Sequence, residues 1–217
     1  VAGDEYDLAG WNNPFRKMSD AITDSKVRYP FTPSDYRIWW RSLLAWRNDN
    51  PEAALIGLMM METGSRIYEI SHLVVRDLKL DADVPHVLLR NNQLRDLKGV
   101  IEHPAILFAT LPMLQGYLSS LKSRDPADPV FPRYSKPKGN TNLSNTMNKR
   151  LRTVEGMQIE QLSAYSARHA FKDRGRAARV DLAVLDYLMG HKTKQSSVVA
   201  QGYGTGYSLS VLKEAAE

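Results

Sequence analysis

A mainly α-helical fold with a small antiparallel β-sheet is what the sequence predicts, and three observations carry it. Apolar residues recur at helical spacing between start and stop signals over most of the chain. One stretch, HVLLRNNQLRDLKGVIEHPAIL at 86–107, switches to short Val-, Ile- and Leu-rich runs around an Asn-Asn turn, the pattern of strands. With 217 residues, 43% of them apolar, the chain can bury one sizeable core.

Residues 1–31 hold Pro, Asn and Gly in GWNNPF and RYPF without sustained periodicity and read as a linker or arm. The chain opens on Val1 rather than Met, so a longer parent protein is expected. TPSDYRIWWRSLLAWR offers Thr32 or Ser34 as a cap and places Ile38, Leu43, Leu44 and Trp46 on one stripe. PEAALIGLMMMETG starts with Pro51 in its first turn and stops at Gly64. RIYEISHLVVRDL predicts a short helix with Ile67, Ile70 and Leu73 inward. After the strands, LPMLQGYLSSLKS and NLSNTMNKRLRTV predict helices, separated by a loop with four of the eleven prolines. VDLAVLDYLMGH predicts an amphipathic helix ending at Gly190, and SLSVLKEAAE a tail helix capped by Ser208.

Bulk properties narrow the function classes. The longest apolar run, AALIGLMMM, has nine residues, far short of the roughly 20 a membrane span needs. With no charged leader before a cleavage site, a cytoplasmic location is expected. Zero cysteines exclude disulfides, thiol nucleophiles and thiolate metal sites together. The five histidines, at 72, 86, 103, 169 and 191, show no paired ligand spacing, so neither metal nor cofactor is expected. No phosphate loop ending in GK[ST], HExxH or GxSxG occurs. The net charge is +5, and 145–179 alone holds eight bases against three acids, an excess as large as that of the whole chain. Such a zone is either a solvated helix face or a surface for a polyanion, nucleic acid first.

What remains is a set of polar residues at the edges of apolar helices: Arg66, Lys98, Tyr165, Arg168, His191 and Tyr203. They lie in the ordered stretches TGSRIYEISHLVVRDL, LKGVIEHPAIL, YSARHAF, LMGHK and YGTGYSLSVL. In that order the sequence resembles the tyrosine recombinases, the phage-integrase family of site-specific DNA recombinases. The family pattern is an arginine after a Thr-Gly turn with an acid three residues on, matched by Arg66 and Glu69. A hairpin lysine ahead of a proline follows, matched by Lys98 and Pro104. Next is a HxxRH box, occupied by Tyr165, Arg168 and His169, with tyrosine in the place of the first histidine. A Leu-x-Gly-His is matched at Leu188, Gly190 and His191, and a nucleophilic tyrosine by Tyr203.

The resemblance spans 32–217 and implies a tyrosine recombinase catalytic-domain fold, without the N-terminal core-binding domain that members usually carry. Each motif alone also occurs as a surface arginine, a solvated loop lysine or a packing histidine; the ordered set is the signal. Arg179 stands where the family often has glycine, which deprives the helix of its preferred stop. The interval from His191 to Tyr203 slightly exceeds the usual one and implies a longer loop.

The chemistry suits these residue types. A phosphodiester gathers negative charge on its nonbridging oxygens as a nucleophile arrives, and a guanidinium fork grips two such oxygens at any working pH, the role implied for Arg66 and Arg168. Tyr203 is the implied nucleophile, forming a 3′-phosphotyrosyl bond and releasing a 5′ hydroxyl; Tyr207, four residues later, is its rival. Lys98 would protonate the leaving oxygen and His191 would hydrogen-bond a nonbridging oxygen. Tyr165 can donate a hydrogen bond to phosphate but cannot relay a proton as an imidazole does. His169 is expected on the inner side of its helix, and Glu69 is expected to orient the arginines. Lys149, Arg150, Arg152, Lys172, Arg176 and Arg179 are the expected DNA-binding bases.

The implied function is recombination of double-stranded DNA sites by a homo-oligomer, a tetramer, for a phage or mobile element in a bacterial host. A type IB topoisomerase-like strand relaxation and a nonenzymatic DNA-binding relative are the alternatives. The tail helix, through Leu209, Leu212 and Ala216, would dock either on its own domain or on a neighbouring protomer.

Overall fold

The computed structural model describes residues 28–97, 102–121, 125–191 and 206–217. Helix α1 (Pro33–Trp46) begins in a reciprocal cap: the Thr32 hydroxyl accepts from the Asp35 amide, and the Asp35 carboxylate accepts from the Thr32 amide at 2.9 Å. Its buried residues are Trp39, Leu43 and Trp46, four and three apart, the spacing of one helix face. Helix α2 (Pro51–Thr63), capped by Asn50, has ten of its thirteen residues buried. A helix apolar on all sides must sit inside other elements. Accordingly α2 is packed by α1, by α3 (Ile67–Ser71), by α4 (Leu111–Ser119), by α5 (Gly139–Thr153) and by α6 (Ser166–Ala177).

A 3₁₀ turn (Val75–Asp77) leads into a three-stranded antiparallel sheet of β1 (Leu78–Lys79), β2 (His86–Leu89) and β3 (His103–Ile106), in that spatial order. Val87 pairs with Leu78 on one side and Ala105 on the other. The 86–107 region therefore forms the hairpin that its pattern predicts, and β1 joins as a two-residue strand too short for periodicity to reveal. Helix α7 (Leu182–Leu188) is capped by Asp181, whose carboxylate accepts from the Ala183 and Val184 amides at 2.8 and 3.1 Å. Helix α8 (Leu209–Ala216), capped by Ser208, closes the chain.

The main core gathers around α2. A smaller cluster joins Ile106 of β3, Val184 and Leu188 of α7 and Leu212 of α8, with Leu212 only 1% exposed. The tail helix thus docks on its own domain. No helix among the described residues is long and apolar enough to cross a membrane.

Two expectations are corrected. His169 is exposed on α6, its ring edge-on to Tyr165 at 5.2 Å, because the buried stripe of that helix runs through Ala167, Arg168, Ala170 and Phe171. Arg179 does not cost α6 its stop. It takes up the left-handed conformation itself, at φ 60°, so that its amide reaches the Arg176 carbonyl and the Val180 amide the Gly175 carbonyl, each at 3.0 Å. That pair of bonds is the Schellman closure normally built on glycine.

Candidate active site

The site begins where α2 stops. Gly64 turns the chain at φ 67°, and a Cβ there would lie 2.5 Å from Phe171 Cδ1, so both conformation and space require glycine. The turn sets Arg66 at the head of α3. Glu69, one turn on, accepts from the Arg66 amide through Oε2 and from the Arg66 side chain through Oε1, both at 2.6 Å. One carboxylate thereby fixes the main chain and the side chain of this arginine, whose side chain stays 31% exposed.

Arg168 enters from α6 and is 2% exposed. Its Nη1 donates to the Gly64 carbonyl at 2.6 Å, and its Nη2 donates to the Met189 carbonyl and to His191 Nε2, both at 2.7 Å. This one guanidinium ties the α2–α3 turn to the end of α7. It also lies 3.9 Å from Glu69 Oε2, so the two arginines share one buried acid. Burial pushes the Glu69 carboxyl up, but the hydrogen bonds from Arg66 and the charges of Arg168 and Arg66 outweigh it, and its pKa ends below the ordinary value. Burial, then repulsion by Arg66, lowers the Arg168 pKa, against the pull of Glu69 and of the adjacent Tyr165 hydroxyl. Tyr165 precedes α6, and the Arg28 guanidinium lies 5.9 Å from its ring centre.

His191 follows Gly190, which turns the chain at φ 65° against the ring of His103 from β3. The base of the hairpin therefore abuts the His191 end of α7. His191 Nδ1 faces Asp186 Oδ1 at 3.4 Å, and the same oxygen accepts from Lys172 Nζ at 2.8 Å. Burial, followed by the Arg168 charge, holds the His191 pKa below the usual imidazole value, while Asp186 opposes the shift.

Of the residues picked from the sequence, the fold brings Arg66, Glu69, Tyr165, Arg168 and His191 together. Lys98, Tyr203, the 192–202 interval and the 1–27 segment lie outside the described residues. Among the expected DNA-binding bases, Lys149, Arg176 and Arg179 are exposed, with Arg176 3.4 Å from Asp173. Arg150 lies 5.9 Å from the Trp46 ring centre. Lys172 is paired with Asp186, and Arg152 donates to the Met157, Glu160 and Leu162 carbonyls, bracing the loop that leads to Tyr165.

Sequence reasoning missed two groups. Arg95 is fully buried and donates to the Glu69 carbonyl at 2.5 Å, to the Arg90 carbonyl and to Asp77 Oδ2 at 3.2 Å, locking the hairpin to the helix that carries Glu69. Nothing in its local pattern separates it from a surface loop arginine. Asp186 was equally inconspicuous, an acid on a polar helix face. Its only sequence signal is a position five residues before His191.

This geometry concentrates two guanidinium groups and an imidazole beside a buried carboxylate, an arrangement suited to gripping an anion of tetrahedral geometry. Comparison with known proteins agrees. The model of the phage integrase family matches residues 41–203. No curated protein matches the chain. Among solved structures, the Tn1549 transposon integrase in complex with transposon right end DNA has a TM-score of 0.57 at 18% identity, covering 94% of this chain and 70% of that one. The XerA recombinase has a TM-score of 0.57 at 16% identity, over 87% of this chain and 64% of its own. The XerH site-specific recombinase bound to difH has a TM-score of 0.56 at 18% identity, and here the chain covers 48% of its relative. At these identities the structures speak for the fold, and the family match, running through the turn before Arg66 and the Gly190-His191 step, speaks for the lineage. The chain belongs to the phage integrase family of tyrosine recombinases, enzymes that break and rejoin DNA strands.

Proposed function

We propose that residues 32–217 are the catalytic domain of a site-specific recombinase, preceded by a linker, that exchanges DNA strands during integration or excision of a phage or other mobile element. Tyr203 attacks the scissile phosphorus and forms a 3′-phosphotyrosyl bond. Arg66 and Arg168 neutralise the nonbridging oxygens, Glu69 spaces the two cations, and Lys98 supplies a proton to the departing 5′ oxygen. The covalent bond conserves the energy of the broken one, so religation needs no nucleotide. The partner is double-stranded DNA carrying recombination sites, held by several protomers, with Lys149, Arg150, Arg176 and Arg179 as outlying phosphate contacts. Arg152 and Lys172 serve the same surface mainly by bracing it.

The observation that carries this reading is the meeting of Arg66 and Arg168 on one buried carboxylate, from positions 102 residues apart, with His191 on the second guanidinium. The test uses the full chain and a pool of nicked duplexes with a randomised centre, in which cleavage releases a short strand and traps the enzyme. A denaturant-stable protein-DNA adduct is expected. It should vanish in Tyr203→Phe and persist in Tyr207→Phe; the reverse pattern would give the nucleophile's role to Tyr207. Paired copies of the captured sequence should then yield four-way junctions, whereas relaxation of supercoiled DNA without junctions would indicate a topoisomerase.

A further inference from the structure

Resting on the recombinase reading, the network around His191 points to how the chain manages the proton of its nucleophile. A phenol of ordinary pKa near ~10 must lose a proton as it attacks, and Tyr165 offers no imidazole to receive it. A guanidinium only donates, so His191 Nε2, which meets Arg168 Nη2 at 2.7 Å, is an acceptor, and the proton of the neutral ring lies on Nδ1, toward Asp186. Asp186 is itself held as an anion: burial pushes it up, but the Lys172 hydrogen bond and charge and then His191 outweigh that. The groups facing the imidazole are Asp186 from α7, Arg168 and Lys172 from α6, and Arg66 from the head of α3, with His103 of β3 against the adjoining Gly190.

We propose that Asp186 is a positioning residue which, by holding the ring proton on Nδ1, makes His191 Nε2 the acceptor for the proton of the attacking tyrosine, replacing the imidazole that Tyr165 lacks. The arriving phosphate competes for Arg168 Nη2 and frees Nε2. The phenol oxygen then forms its bond to phosphorus while its proton passes to Nε2. The bond from phosphorus to the 5′ oxygen breaks, and that oxygen takes a proton from the Lys98 ammonium. The resulting imidazolium lies between the Asp186 carboxylate and the phosphate, and it returns its proton to the tyrosine on religation. Carboxylate support of a histidine in this manner fixes both tautomer and basicity.

Single-turnover cleavage of the captured nicked duplex, measured from pH 5 to 9, tests the assignment. The wild-type rate should rise with pH through one ionisation and level off. Asp186→Asn preserves shape and should lower the plateau about 10- to 100-fold. It should also move the break to lower pH, because loss of the carboxylate removes the group among the described residues that favours the imidazolium. Asp186→Glu should restore most of the rate. In a Tyr165→His background, Asp186→Asn should cost no more than about 3-fold, since the new imidazole can accept the proton. An unmoved break, or an equal cost of Asp186→Asn in both backgrounds, overturns the proposal while leaving the recombinase reading intact. Absence of adduct from the wild-type chain in the capture experiment defeats that reading itself.

Discussion

Glu69 carries more of the site than a single carboxylate usually does. Buried at 1% exposure, it accepts from Arg66 twice and faces Arg168 at 3.9 Å. Glu69→Gln keeps the size but leaves two cations without their shared counter-charge, and should destabilise the fold by about 2–4 kcal/mol, measured by urea unfolding at neutral pH. The pH dependence has a definite sign. The folded pKa of Glu69 is depressed below the unfolded value of about 4.3, so its stabilisation is complete above that value and is lost as pH falls through the folded pKa. The wild-type chain should lose stability in that acid window more steeply than Glu69→Gln. At this scale Arg66, Glu69, Arg168 and His191 were legible in the sequence through the ordered motifs that resemble the family pattern. The sequence did not disclose Arg95 or Asp186, nor that His169 faces outward. Whether a side chain on a polar helix face turns toward solvent or toward a neighbouring helix depends on tertiary packing, which no local pattern encodes.

Among the elements, the end of α6 shows how a local rule can be overridden. Arg179 occupies the left-handed position of a complete Schellman closure, a conformation that costs a residue with a Cβ about 1–2 kcal/mol. Arg179→Gly should relieve part of that strain and raise stability by about 1 kcal/mol in thermal or urea unfolding. If the side chain meets a phosphate, the same change should weaken DNA binding across all sequences and reduce the slope of log affinity against log salt by about one. Stability gained with affinity lost would explain an arginine at a position made for glycine. Several helix boundaries are readable because local signals announce them: Thr32 and Ser208 accept from the first turns of α1 and α8, and Pro51 and Gly64 bracket α2, whereas the caps at Asn50 and Asp181 emerge only in the structure. Helix α5 begins at Gly139, earlier than its apolar rhythm suggests, because no side chain caps it and Gly139-Asn140-Thr141 has the composition of a loop.

At the scale of the molecule, three elements distant in sequence are stitched by Arg168, and the tail helix is folded back over β3 and α7. The sequence left that helix free to dock on its own domain or on a neighbour; burial of Leu212 among Ile106, Val184 and Leu188 resolves the choice for this chain. Leu212→Ala should therefore cost about 2–4 kcal/mol of the chain's own stability in the absence of DNA. A helix held only by a neighbouring protomer would show no such cost at low protein concentration. The base of β3 and the end of α7 meet through His103 and Gly190, which fixes that strand beside His191.

The central claim is that the charge of one DNA phosphate is what the two arginines answer. It is tested most directly by cleavage of a suicide duplex whose scissile phosphate is replaced by a neutral methylphosphonate. Arg66 is the residue to vary, because Arg168 also holds the fold together. Arg66→Ala should slow cleavage of the natural phosphodiester by about 10²–10³-fold and cleavage of the neutral linkage by only a small factor. An equal loss on both substrates would contradict the claim, since a cation that neutralises a nonbridging oxygen has little to do once that oxygen's charge is gone.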